Sequence, residues 1–89
     1  MTPAILIAVI ATTRDPHRQS EAMRAALGLT LRGARVEVCV HEPLLTPLAR
    51  RAADTLRSFG HVVILIAEHE PDSKIRDVLV RADRVEVWT

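Results

Sequence analysis

Cysteine, aromatic residues and glycine are scarce in this chain, and each scarcity excludes something. Cys39 is the one cysteine among 89 residues. An intramolecular disulfide and a multi-cysteine metal site within one chain are therefore ruled out, and a reducing, cytoplasmic compartment is the expectation. One Phe, one Trp and no Tyr are present, so the aromatic platforms on which single-stranded nucleic acid stacks are missing. Gly28, Gly33 and Gly60 all avoid the strand-to-helix junctions identified below, which removes the Gly-rich turn of a dinucleotide or P-loop site. Receiver-type phosphoryl chemistry is also excluded. No acidic residue follows the first apolar run before Asp15, and no apolar run ends in the Asp that would accept the group.

An excess of one charge is equally absent. Twelve Lys+Arg stand against 11 Asp+Glu, a formal net charge of +1. That balance provides neither the dominant basic field of a nucleic-acid protein nor an acidic disordered tail. No apolar run approaches the ~18–20 residues that cross a bilayer, and no basic segment precedes the first apolar run as in a signal peptide. The expectation is a chain with no nucleic-acid partner, no membrane partner and no cofactor. Its length suits one domain over residues 1–89, and a domain this small buries only about 60% of its unfolded surface. Association with another chain would relieve that thin margin.

What is present is a regular succession of apolar runs and helical patterns. Ala4–Ile10, AILIAVI, is apolar at seven consecutive positions and reads as a strand covered on both faces, the centre of a parallel sheet. Asp15-Pro16 then opens a helix, with Asp as N-cap and Pro where no bond is lost. The helix is expected to reach about Arg32 and stop at Gly33. Met23, Ala26, Leu27 and Thr30 form its buried face, and Gly28 is expected to permit close contact with the sheet. Arg35–His41 alternates, with Val36, Val38 and Val40 opposed to Glu37 and Cys39, the pattern of a strand with one less buried face.

Thr46-Pro47 repeats the cap-plus-proline start. Leu48, Ala49, Ala52, Ala53, Leu56 and Phe59 make an apolar stripe that Gly60 closes. His61–Ala67, HVVILIA, is the second unbroken apolar strand. Asp72 or Ser73 is expected to cap a short helix bearing Ile75, Val78, Leu79 and Ala82, and Arg84–Thr89 ends the chain as an alternating strand. The sum is β-α-β-α-β-α-β, an α/β fold with a four-stranded, mainly parallel sheet in a three-layer α/β/α sandwich. Alternation in the second and fourth strands would place them at the edges, giving the order 2-1-3-4.

In such sheets ligands bind beyond the carboxyl ends of the strands. Three candidate groups gather there. Thr12, Thr13 and Arg14 precede a helix N-terminus, where backbone N–H groups and the helix dipole favour a small anion. Glu68 and His69 follow the third apolar strand, yet no metal-ligand spacing on a regular element supports a metal site. Cys39 is the only thiol, and His41, two residues on, lies on the same side of its strand, so a sulfur nucleophile with a His-lowered pKa is one reading. A buried free Cys serving as a small core hydrophobe is the commoner one.

The order of elements also resembles the DsrE/DsrF/DsrH family, which includes the TusB-, TusC- and TusD-like subunits of sulfur relay. The likeness lies in AILIAVIATTRDP, in SEAMRAALGLTLRG leading into ARVEVCVHEPLL, in FGHVVILIAE and above all in the tail IRDVLVRADRVEVW. It spans nearly the whole chain without one sharp signature. The resemblance implies strand order 3-2-1-4, with HVVILIA as an apolar edge strand, and assembly into homo-oligomers or hetero-oligomers with DsrE-like subunits. In the DsrE/TusD branch it implies persulfide transfer on a Cys at the end of the strand matching HVVILIA. Here that position reads Ile66-Ala67, and the chain is short by roughly one strand and loop before Ser73. The active thiol does not carry over, and Cys39 does not match its position. A non-catalytic, DsrH-like interaction or scaffold subunit is the expectation, with a Cys39–His41 sulfur carrier and an anion-binding module at Thr12–Asp15 as alternatives.

Overall fold

The computed structural model describes residues 4–70 and 72–89; Pro71, between the candidates Glu68 and His69 and the expected cap Asp72, lies outside the described residues. Seven elements alternate: β1 (Leu6–Ala11), α1 (Pro16–Thr30), β2 (Arg35–His41), α2 (Pro47–Ser58), β3 (Val62–Ile66), α3 (Ser73–Arg81) and β4 (Arg84–Trp88). The four strands form one sheet in the order β3-β2-β1-β4. Every pairing is parallel. The fold is therefore a three-layer α/β/α sandwich.

Two apolar clusters identify the layers. Val9, Ala11, Val36, Val38, Val40 and Val63 pack beneath α1 and α2 through Ala22, Met23, Ala26, Ala49, Ala52, Ala53 and Leu56. On the opposite face Ala8, Ile10, Cys39 and Ile66 pack against Val78 of α3, with Ile64, Ile75 and Ala82 at the margin. One face thus carries two helices and the other a single short one.

The order 2-1-3-4 expected from alternation is overturned. β2 sits inside the sheet, and its Glu37–Cys39 side is buried like its valine side. The alternation misled because Glu37 is a buried charge with a partner, Arg81, from α3. The continuous apolar strand β3 is instead an edge.

Local signals in the chain hold more closely. Asp15 Oδ1 accepts from the Arg18 N–H at 3.0 Å and Thr46 Oγ1 from the Ala49 N–H at 3.0 Å, which caps α1 and α2 as their sequences require. Gly33 and Gly60 take φ of 82° and 85°, the left-handed turn after each helix. Asp72 occupies the N-cap position of α3 but makes no side-chain cap bond. β1 starts at Leu6 rather than Ala4, with Ile5 exposed. Gly28 is not in close contact with the sheet: it is exposed, and a Cβ there would meet nothing within 4 Å. Phe59 leaves the α2 stripe because the helix ends at Ser58, and the residue is 74% exposed.

Candidate functional site

The carboxyl ends of β1, β2 and β3 form one rim, as the topology demands, but the rim is held together mainly by its own hydrogen bonds. The N–H groups of Thr12 and Thr13 both donate to the Trp88 carbonyl at 3.1 Å. Thr13 is buried, and its Oγ1 accepts from the Asp15 N–H. The N–H groups of Thr12, Thr13, Asp15 and Arg18 are thus engaged within the protein, with the Asp15 carboxylate beside them. Arg14 is exposed. Arg18, one turn into α1, lies 5.3 Å above the Trp88 ring and donates from Nε to the Thr89 carbonyl.

Glu68 and His69 are exposed in the turn after β3, two strands away from Thr12. The neighbouring Glu70 organises that turn. Its Oε1 accepts from the Ala67 N–H, and Lys74 Nζ lies 2.7 Å from its Oε2, which lowers the Glu70 pKa. Among the described residues no hydrogen bond or ion pair joins Glu68 or His69 to Thr12, Thr13 or Arg14, and no group of three metal-ligating side chains is present.

Cys39 and His41 do share the α3 face of β2, as period-two geometry requires. They are not coupled. Cys39 is 1% exposed within the cluster of Ala8, Ile10, Ile66 and Val78. Burial pushes its thiol up to about 11, the Glu37 carboxylate adds to the rise, and Arg81 opposes it. The shift runs opposite to the His-lowered reading and agrees with the commoner one, a buried free Cys serving as a core hydrophobe. Desolvation of the thiolate outweighs any help available from the imidazole. His41 is half-buried, and its Nδ1 has no hydrogen-bond partner.

Two residues not singled out from the sequence organise the region. Gln19 is buried on α1 and donates from Nε2 to the His41 and Pro43 carbonyls, at 3.2 and 3.1 Å, while its Oε1 accepts from the Leu45 N–H at 2.7 Å. It clamps the β2–α2 loop, which contains the cis Glu42–Pro43 peptide. A hollow of about 560 Å³ lies outside that loop, lined by Glu42, Pro43, Leu44, Arg50 and Leu65. The second residue is Glu37, described above. A signal for Gln19 existed, since it shares the helical phase of Met23 and Ala26 and so faces the core.

The class defined by this geometry is a parallel three-layer α/β/α sandwich whose only thiol is sealed in the core. No protein-family model matches the chain, and no curated protein or solved structure matches it significantly. No helix of the described residues is long and apolar enough to cross a membrane.

Proposed function

We propose that this chain is a non-catalytic interaction or scaffold subunit of a DsrE/DsrH-like assembly, with a scaffolding place in cytoplasmic sulfur relay. One observation supports the assembly reading most strongly. The sheet face under α3 has a single nine-residue helix over it, and Val85 and Val87 of β4, which share that face, are 44% and 60% exposed. Val80 on α3 itself is 84% exposed. Apolar surface left open beside a covered core is the mark of a surface that meets another chain.

The thiol supports the non-catalytic half. A sulfur carrier needs a thiolate near neutral pH, and Cys39 is displaced in the other direction. The anion-module alternative is weakened because the Thr12 and Thr13 N–H groups donate to the Trp88 carbonyl.

Light scattering on the eluting protein, from micromolar to near-millimolar loading, tests the assembly reading. A mass that rises to at least twice that of the chain is expected. A monomer throughout the range contradicts it.

A further inference from the structure

We infer that two copies of this chain pair antiparallel through the free edge of β4, with Val85 of one copy opposite Val85 of the other, to make a continuous eight-stranded sheet. The inference rests on the assembly reading above and gives it one interface. It follows from which edge is open, which backbone groups are unpaired there, and how the charges of β4 meet their own copy.

The order β3-β2-β1-β4 leaves two edges. β3 is the more apolar, VVILI, but its edge is guarded. The bond from the Glu42 N–H to the Ile66 carbonyl turns residue 66, and with it 64 and 62, towards β2. Val63 and Leu65 are left facing outward. Arg57 reaches across from α2, and its Nη2 donates to the Val63 carbonyl at 2.9 Å. A charged side chain occupying an outward carbonyl blocks strand addition.

The β4 edge is open. Thr12 and Thr13 donate to the Trp88 carbonyl, so the backbone groups of residues 88, 86 and 84 face β1. Those of Val85 and Val87 face away from the sheet. No side chain among the described residues bonds to them.

Two copies related by a twofold axis perpendicular to the sheet keep each face on its own side, so paired residues share parity. Three registers bring the strand centres together. Centring on Glu86 sets two Glu86 carboxylates directly opposite each other, which is unfavourable. Centring on Val87 sets Glu86 against Trp88 and leaves Arg84 without a partner. Centring on Val85 sets Arg84 against Glu86 of the second copy and Glu86 against Arg84, both in the closely spaced non-hydrogen-bonded positions, while the two Val85 residues exchange their outward N–H and C=O groups. RVEVW is thus self-complementary in one register. On the α3 side the two Val85 side chains meet, and Val87 of each copy stands opposite Asp83 of the other, whose carboxylate accepts from the Leu6 N–H.

Charge variants read the interface without touching the core. Glu86→Arg places arginines opposite each other in a self-pair and Arg84→Glu places glutamates there, so each variant alone is expected to dissociate at about tenfold higher concentration or more. Mixing the two variants restores both complementary pairs and should restore dimer mass. In a Cys39→Ala background, Val85→Cys should crosslink to its copy under oxidation faster than Val87→Cys or Ile64→Cys. Association that ignores both charge variants, or is not restored by mixing them, overturns the β4 interface and leaves the assembly reading standing. Preferential crosslinking through Ile64→Cys assigns the contact to β3 and likewise overturns it. A wild-type chain that stays monomeric overturns both.

Discussion

One guanidinium nitrogen of Arg81, Nη1, bonds both carboxylate oxygens of Glu37, at 2.9 and 2.8 Å, and so ties α3 to the middle of the sheet. Glu37 is buried, whereas the Arg81 side chain remains about half exposed. The pair explains how a charged residue occupies a central strand. It also keeps the Glu37 charge next to Cys39, where it helps hold the thiol protonated.

Arg81→Ala leaves the Glu37 carboxylate buried with its partner gone, and a loss of about 2–3 kcal/mol is expected by urea denaturation. Adding Glu37→Gln to that variant removes the stranded charge and should recover part of the loss. Equal stability of the two variants would mean that water already satisfies Glu37.

Gln19 makes three hydrogen bonds to the β2–α2 loop. Gln19→Leu keeps the buried volume but removes all three, leaving the Leu45 N–H without its partner, for a cost of about 3 kcal/mol. Greater protease sensitivity at Glu42–Leu45 should accompany it. A change within about 0.5 kcal/mol, the range of ordinary surface substitutions, would show that the loop holds itself.

Gly28 lies inside α1 with open space where a Cβ would stand. Gly28→Ala is expected to stabilise the chain by about 0.5–1 kcal/mol, through the helix preference of alanine and the lower entropy of its unfolded state. A destabilised variant would mean that a neighbouring chain approaches this position.

Cys39 predicts an alkaline limb to the stability profile. Its folded pKa, about 11, lies above its ordinary value of 9.0. The unfolded chain therefore loses the proton first, so the contribution is intact below pH 9 and is lost as pH rises through about 11. The loss attributable to this group is on the order of 2 kcal/mol at pH 11. Cys39→Ala should flatten that limb relative to wild type. Parallel profiles for the two proteins would show that the thiol is not desolvated.

Much of the fold was legible because local chemistry dictates it. Asp15-Pro16 and Thr46-Pro47 marked two helix starts, and the unbroken runs AILIAVI and HVVILIA marked two of the strands. The strand order implied by the DsrE-like resemblance is the one observed, while the order drawn from alternation is not. The difference turns on Glu37, whose partner Arg81 lies 44 residues away, where periodicity has no access. Phe59 illustrates the opposite error, a stripe extended one residue past the end of its helix. At the rim the sequence brought the right elements to one end of the sheet. It gave no sign that the Trp88 carbonyl would take the N–H groups of Thr12 and Thr13, or that Cys39 and His41 would share a face without being coupled.

We propose that this chain works through its surfaces and not through its thiol. The most direct measurement is the alkylation rate of Cys39 in the native protein against the same protein in urea, read by intact mass with the oligomeric mass recorded on the same sample. Protection by several orders of magnitude, set by the free energy of opening the core, is the result expected. A native rate near or above the unfolded one would contradict that proposal and make Cys39 an exposed, activated thiol.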